Sequence, residues 1–208
     1  MREIRHLTED DARRVPWKNG RGTTLELCVW PDGATFARGD FDVRVSKAAV
    51  VEDGPFSTFP GFDRILVVTS GAGLELKHGD DRARVRLRPL EPHRFPGDVA
   101  THATLIAARV DDFNVMTRRG RCTADAQVLR LGARRARENT GESHTFVHVL
   151  HGHVTARVGG EEEAFELETG HTLWAIDTGR DEVIDFAGRA ADACVLIVRV
   201  DSSRFDRS

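Results

Sequence analysis

Asp53 to Gly79 reads DGPFSTFPGFDRILVVTSGAGLELKHG. Ile65 to Thr69 is apolar and largely β-branched, as a strand covered on both faces demands. Gly71 and Gly73 supply the backbone freedom for a tight reversal into a second strand at Leu74 to Leu76. In the loop ahead of these strands, Phe56, Phe59 and Phe62 alternate with Ser57, Pro60 and Asp63. Rings and polar groups therefore gather where a strand opens to solvent. The stretch reads as one wall of a small barrel with its mouth loop, the place where barrels usually take small ligands.

The whole chain has the size for this. Its 208 residues and 23.1 kDa suffice for one large β domain or two small fused ones. Hydrophobic residues make up 40% and charged residues 30%, and no apolar run approaches the roughly 20 residues of a membrane helix. The opening MREIRHLTEDDARR has no apolar core, so it does not read as a signal peptide, and the cytoplasm is the expected location. Cys28, Cys122 and Cys194 are few, odd in number and far apart, which suits buried thiols better than a disulfide framework or zinc cluster. A net charge of -3 offers nucleic acid no long-range attraction. In Arg82 to Arg88, RARVRLR, every second residue is arginine while Ala83, Val85 and Leu87 face the other way, so this is a half-exposed strand.

Working outward, Arg2 to Leu7 reads as a short edge strand. Thr8 with Glu9, Asp10 and Asp11 reads as the capped start of a short helix that Pro16 ends. Trp17 to Thr24, WKNGRGTT, is a glycine loop carrying an indole, cations, an amide and hydroxyls, a composition suited to ligand contact. It lacks the Walker spacing of a phosphate loop. Leu25, Leu27 and Val29 alternate with Thr24, Glu26 and Cys28, and Phe41, Val43 and Val45 alternate with Asp42, Arg44 and Ser46. The two polar faces either meet inside one barrel or lie on a solvated outer face. If they meet, Arg44 offers a planar fork to a carboxylate, and Glu26 either holds that fork or receives an amine. Asp63-Arg64 is open in the same way: an ion pair bracing the mouth, or an arginine offered to an anion.

GRCTADA, from Gly120 to Ala126, interrupts the strand pattern and divides the chain into residues 1–120 and 121–208. The second part repeats the first in outline: Phe146 to Leu150, Gly152, Val154 to Val158 and Gly159-Gly160 echo Ile65 to Thr69, Gly71, Leu74 to Leu76 and Gly79. The expected fold is all-β, two jelly-roll-like cupin barrels in tandem with at most one or two short helices.

Six ordered motifs sharpen this reading. They are Trp17-Lys18-Asn19-Gly20 with Gly22 and Thr24; Phe41-Asp42 with Arg44 and Ser46; Asp53-Gly54-Pro55-Phe56-Ser57; Phe59-Pro60-Gly61 with Asp63-Arg64; Phe95 with Gly97-Asp98; and Asp112-Phe113-Asn114-Val115-Met116 with Arg118-Arg119-Gly120. Through them the first half resembles the HutD/Ves family, while the second half matches only in outline. Arg21 stands where that family usually has a third glycine, and Val43 where an aromatic is common. The resemblance implies a non-catalytic bicupin associated with bacterial histidine utilisation. Its ligand would be a small anionic metabolite, such as a formylated glutamate or urocanate from histidine degradation. Lys18, Asn19, Arg44 and Arg64 are then the expected anion contacts, Glu26 and Ser46 orient the ligand, Trp17, Phe56 and Phe59 form walls, and Thr24 completes the ligand-binding set. No cofactor, nucleic acid or membrane is expected, and exposed edge strands would allow a homodimer by analogy with other cupins.

The rival class is a metal-dependent cupin enzyme of isomerase or dioxygenase type, which needs two or three histidines and a carboxylate converging on an open coordination site. The corresponding region of the first half, Phe59 to Arg64, contains no histidine. In the second half His144, His148, His151 and His153 crowd one strand and its turn, with His171 after Gly170. His144 and His148 are the metal candidates, against the alternative of satisfied or solvated histidines. Ser57 is not in a nucleophile elbow and no cysteine neighbours a histidine in sequence, so no catalytic residue is assigned.

Overall fold

The computed structural model describes residues 2–17, 23–80, 84–141, 143–160, 163–179 and 181–202. Among these residues every regular element is a strand, and no helix is long and apolar enough to cross a membrane. The expected short helix after Thr8 does not form. Arg13–Pro16 is instead a strand paired antiparallel with Thr23–Trp30. Asp11 satisfies the Thr8 backbone N–H and hydroxyl at 2.8 Å each, a local cap that here closes a turn.

The chain forms two compact units, one of Ala12–Cys122 and one of Met1–Asp11 with Thr123–Ser208. The first eleven residues thus belong with the C-terminal portion. Glu3–Leu7 is the edge strand its sequence suggests, paired with Thr172–Ile176.

In the Ala12–Cys122 unit a six-stranded sheet runs Arg13–Pro16, Thr23–Trp30, Val43–Val50, Val110–Arg118, Phe62–Ser70 and His93–Pro96. A four-stranded sheet runs Gly54–Phe56, Thr101–Leu105, Leu74–His78 and Arg84–Leu87. Val50, Leu66, Val68 and Val110 of the first sheet pack against Leu74, Leu76, Leu87 and Ala103 of the second, which defines the barrel interior. Side chains alternate along a strand, so Phe62 and Arg64 share that inward face with Leu66 and Val68. The other unit has the same plan. Its five-stranded sheet contains Glu3–Leu7, Thr172–Ile176, His144–His151, Cys194–Ser202 and Cys122–Arg130, and its four-stranded sheet contains Arg135–Asn139, Val183–Gly188, His153–Val158 and Phe165–Glu168. Its interior is aliphatic, with Val147, Val149, Leu173, Ala175, Val195 and Ile197 among the buried set. All three cysteines are buried.

Two departures from strict alternation bear on the site. A bulge between Glu26 and Cys28 puts Cys28 opposite Val45 and Val29 opposite Arg44. Val29 therefore joins the inward face with Glu26, packing on Phe41, Phe62 and Met116, where simple alternation had placed it on the opposite side. The mouth loop is pinned by Gly97, whose N–H donates to the Phe62 carbonyl at 2.7 Å while its own carbonyl accepts from Phe59 N–H at 2.7 Å.

A Cβ at Gly97 would lie 2.7 Å from the Phe59 carbonyl oxygen and 2.9 Å from that of Phe62, whereas one at Gly54 meets nothing within 4 Å. Gly97→Ala should therefore cost about 1–3 kcal/mol, roughly 2–12 °C in melting temperature for a chain of this size, while Gly54→Ala should stay within about 2 °C of the parent. Thermal unfolding followed by circular dichroism checks the contrast, and equal melting points would refute the close-packing account.

Candidate functional site

Strand register arranges the inward polar residues of the Ala12–Cys122 unit in rows. One row runs Val29, Arg44, Met116, Arg64 and Phe95; the next runs Glu26, Ser46, Asn114, Leu66 and His93; a third holds Thr24, Ala48, Asp112 and Val68. Of the two placements the sequence left open, the polar faces of Thr23–Trp30 and Val43–Val50 take the interior one. Glu26, Arg44, Ser46, Arg64 and Asp112 are all at most 6% exposed.

Arg44 is compensated. Its Nε donates to Glu26 Oε2 at 2.8 Å, its Nη1 reaches Ser46 Oγ at 3.3 Å, and its guanidinium sits 4.1 Å from the centre of the Phe36 ring. Arg13 adds a second cation 3.7 Å from the other Glu26 oxygen. Burial pulls the Arg44 pKa below its ordinary value, and the Glu26 hydrogen bond and charge oppose that fall.

Arg64 is not compensated in this way. Nη1 has a long contact, 3.4 Å, to the Ser57 carbonyl, and its buried Nε has no hydrogen-bond partner among the described residues. Around it stand three phenylalanine rings, Phe95 at 4.9 Å and Phe56 and Phe59 at 5.4 Å each. Burial pulls its pKa down to about 10 despite the nearby charge of Asp112, and Arg44 adds repulsion. Asp112 is pushed up to about 7, chiefly by burial, with Arg64 opposing the rise. The Asn114 side-chain oxygen is likewise buried without a donor. Among the described residues the inward face of these adjacent strands therefore offers an unanswered donor and an unanswered acceptor.

His78 and His93 complete this wall. Their Nε2 atoms are 3.0 Å apart, so one donates and the other accepts, while His78 Nδ1 lies 2.9 Å from Thr101 Oγ1. Burial lowers both pKa values, and Arg64 lowers that of His78 further. The sequence reading assigned no role to His78, His93, Asp112, Asn114 or Phe36. Asp112 and Asn114 alternate with Phe113 and Val115 just as Glu26 and Ser46 alternate with apolar residues, so that signal was available. Phe36 lies in a loop with no periodic signature.

Of the other expected contacts, Lys18 and Asn19 lie outside the described residues. Trp17 Nε1–H donates to Thr24 Oγ1 at 2.9 Å, which fixes the indole at the start of its strand. Asp63 and Arg64 do not pair. As strand neighbours they face opposite ways, and Asp63 accepts instead from Arg119, at 3.0 Å from Nε and 2.8 Å from Nη2. Arg119 also bridges to Asp98 at 2.6 Å, and Asp98 accepts the Gly61 N–H at 2.7 Å.

In the other unit His144 and His148 fall on the strand face opposite Val147 and Val149, away from that barrel's aliphatic interior. His148 Nδ1 is 2.9 Å from Thr172 Oγ1, and Trp174 Nε1–H points to His144 Nδ1 at 3.4 Å. Burial pushes the His144 pKa down to about 4. Among the described residues no three His, Cys, Asp or Glu side chains converge as a metal site requires.

Two β barrels of this topology, one with a charged interior, define a bicupin, and cupin barrel proteins such as one from Leptotrichia buccalis share the fold. The sequence model of the HutD family matches residues 9–195, and the chain belongs to that family. Protein Ves of Citrobacter koseri is 37% identical over 122 residues, 57% of this chain; the alignment spans only 61% of that relative's length. A conserved protein of unknown function from Pseudomonas aeruginosa superposes with a TM-score of 0.83 at 30% identity, covering 97% of this chain and all of the other. HutD from Pseudomonas fluorescens gives 0.78 at 28% identity with the same coverage.

The Asp112 shift has a definite consequence for stability. A carboxyl whose folded pKa lies above its unfolded value of about 3.9 favours folding in its neutral form, so stability falls as pH rises from about 4 to about 7 and is level above that. Asp112→Asn, isosteric and uncharged, should therefore melt higher than the parent at pH 8, with the gap closing toward pH 4. A gap independent of pH in thermal melts would show that Asp112 titrates as an ordinary carboxylate.

Proposed function

We propose that the Ala12–Cys122 barrel binds a small carboxylate metabolite without chemical turnover, and that the protein acts by sensing or sequestering an intermediate of histidine degradation. The observation that carries this reading is Arg64, a guanidinium 5% exposed whose Nε has no partner among the described residues and lies inside an aromatic cage. Burying such a donor unanswered costs about 1–3 kcal/mol, more for a charged group, so a ligand anion that answers it is strongly favoured. Asn114 narrows the class, because its free acceptor suits an N–H on the same ligand. A formylated glutamate combines carboxylates with the N–H of its amide, and urocanate combines a carboxylate with the N–H of its imidazole. The Phe56, Phe59 and Phe95 rings flank the guanidinium and exclude water, which strengthens each polar contact. Family membership supports the association with histidine utilisation. In this reading Arg44 is the scaffold of the pocket, occupied by Glu26, and Arg64 is the anion contact.

The test separates the two arginines. At a ligand concentration of about 100 times the dissociation constant, binding should add about 2.7 kcal/mol, or roughly 5–11 °C in melting temperature. Thermal shift with N-formylglutamate and with urocanate should show this for the parent protein and lose it in Arg64→Met, which should itself melt no lower than the parent because a poorly compensated buried charge is gone. A full ligand shift retained in Arg64→Met would place the anion elsewhere, and no shift with either compound would reject the proposed ligand class.

A further inference from the structure

The outer face of the four-stranded sheet in the C-terminal unit contains a second feature, independent of the barrel interior. Ala136, Ala156 and Phe186 face inward to the aliphatic core. By alternation, Arg135 and Arg137 of one strand, Asp185 and Ala187 of the next, and Thr155 and Arg157 of the third face outward. Register sets Arg135 beside Ala187 and Thr155, and sets Arg137 and Arg157 on either side of Asp185. Two small side chains in the middle of the sheet are thus ringed by long ones, and the face is a bowl of about 340 Å³ rather than a flat surface. Arg189 stands at its rim, its Nε donating to Thr155 Oγ1 at 2.9 Å and its Nη2 4.0 Å from Glu166.

The charges in this bowl do not balance. Four arginines and one aspartate line it, a surplus of three positive charges on a chain whose net charge is -3. Asp185 is engaged by Arg137 in a two-pronged pair at 2.7 and 3.0 Å, which holds its carboxyl below the usual range. Arg135 and Arg157, both exposed, make no hydrogen bond or ion pair with any described residue. Two guanidinium forks are therefore available across a floor of Ala187 and Thr155, with a hydroxyl at the floor's edge. No exposed aromatic ring lines the bowl to stack a base, and Phe186, the one ring in the lining, is 2% exposed. The bowl lies near the lower end of the size range of small-molecule sites, about 300 Å³, and is too small for a folded segment.

We propose that this bowl is a second anion site, built for a compact oxyanion of about three negative charges, the diphosphate class, with Arg135 and Arg157 as the principal forks. Guanidinium forks match phosphate oxygens bidentately, and two forks on separate strands select a ligand with two charged centres over a monovalent one. The site is distinct from the carboxylate pocket and does not depend on it.

Isothermal titration with inorganic pyrophosphate provides the test. The parent should bind one equivalent saturably and acetate not at all, and Arg135→Ala and Arg157→Ala should each weaken pyrophosphate binding about tenfold or more, with circular dichroism unchanged. Arg88→Ala, an exposed arginine of the other unit, and Arg64→Met should leave the titration as it was. Unchanged affinity in the Arg135→Ala/Arg157→Ala double variant, loss of binding in Arg64→Met, or no saturable binding by the parent would each overturn the proposal.

Discussion

Removing an ionised side chain from water costs several kcal/mol unless a partner replaces the lost hydration. The interior of the Ala12–Cys122 unit contains two arginines under that constraint, and they meet it differently. Arg44 has a carboxylate, a hydroxyl and an aromatic face, so its charge is neutralised within the fold. Arg64 has ring faces, one long carbonyl contact and Asp112, a carboxyl itself pushed toward neutrality by burial. A ring face contributes about 2 kcal/mol or more to a desolvated cation, but it supplies no acceptor for the guanidinium N–H groups. The two arginines belong to the same row with Met116 between them, their backbones about 10 Å apart by strand spacing, and the charge of Arg44 adds to the cost of charging Arg64.

The residues that carry the family resemblance divide accordingly into braces and interior. Arg118 holds the Phe41 carbonyl at 2.6 Å from Nη2 and Asp42 at 2.9 Å from Nε, and stacks 4.7 Å from the Phe62 ring. Arg119 clamps Asp63 and Asp98 from outside the barrel. Gly97 lets the mouth loop approach closely enough for two backbone hydrogen bonds. These contacts fix the Phe59 to Asp63 segment that brings Phe59 to Arg64, while Phe56 is set by the pairing of Gly54–Phe56 with Thr101–Leu105. The Phe59 position is thus braced in part by ion pairs on the opposite face of the sheet.

Alternation made most of this legible before any coordinates. The strand at Ile65 to Thr69, the reversal at Gly71 and Gly73, and the shared faces of Glu26, Arg44 and Ser46 all follow from a period of two and from glycine's freedom at positive φ, here 97° and 110°. Alternation does not reveal which face of a strand is the inside when both faces are buried, as in Val43–Val50 and Phe62–Ser70. It also cannot foresee a bulge, and so it misplaced Val29. The helix expected after Thr8 rested on capping residues alone, without the apolar period of a helix behind them, and pairing with Thr23–Trp30 prevailed. His78 and His93 escaped notice because they come from strands of two different sheets, Leu74–His78 and His93–Pro96, whose side chains meet only in the folded unit. Adjacent opposite charges left Asp63-Arg64 open between an ion pair and an arginine offered to an anion, and strand geometry points the two side chains apart.

The two units show how far architecture alone determines what a barrel can do. Both place a larger and a smaller antiparallel sheet in one compact unit. In the C-terminal unit the inward positions are Val147, Val149, Leu173, Ala175, Val195 and Ile197, which fill the space with surface that gains from leaving water. In the other unit, inward positions of the corresponding central strands hold Arg44, Ser46, Arg64, Asp112 and Asn114, each of which loses hydration on folding. The C-terminal unit shows that the same plan of two sheets forms around an aliphatic interior within the same chain. The fold therefore does not require the charged row. In the proposed reading its free energy cost is offset when a complementary ligand enters, and the interior of the first barrel, not the topology shared by both, is what would specify that ligand.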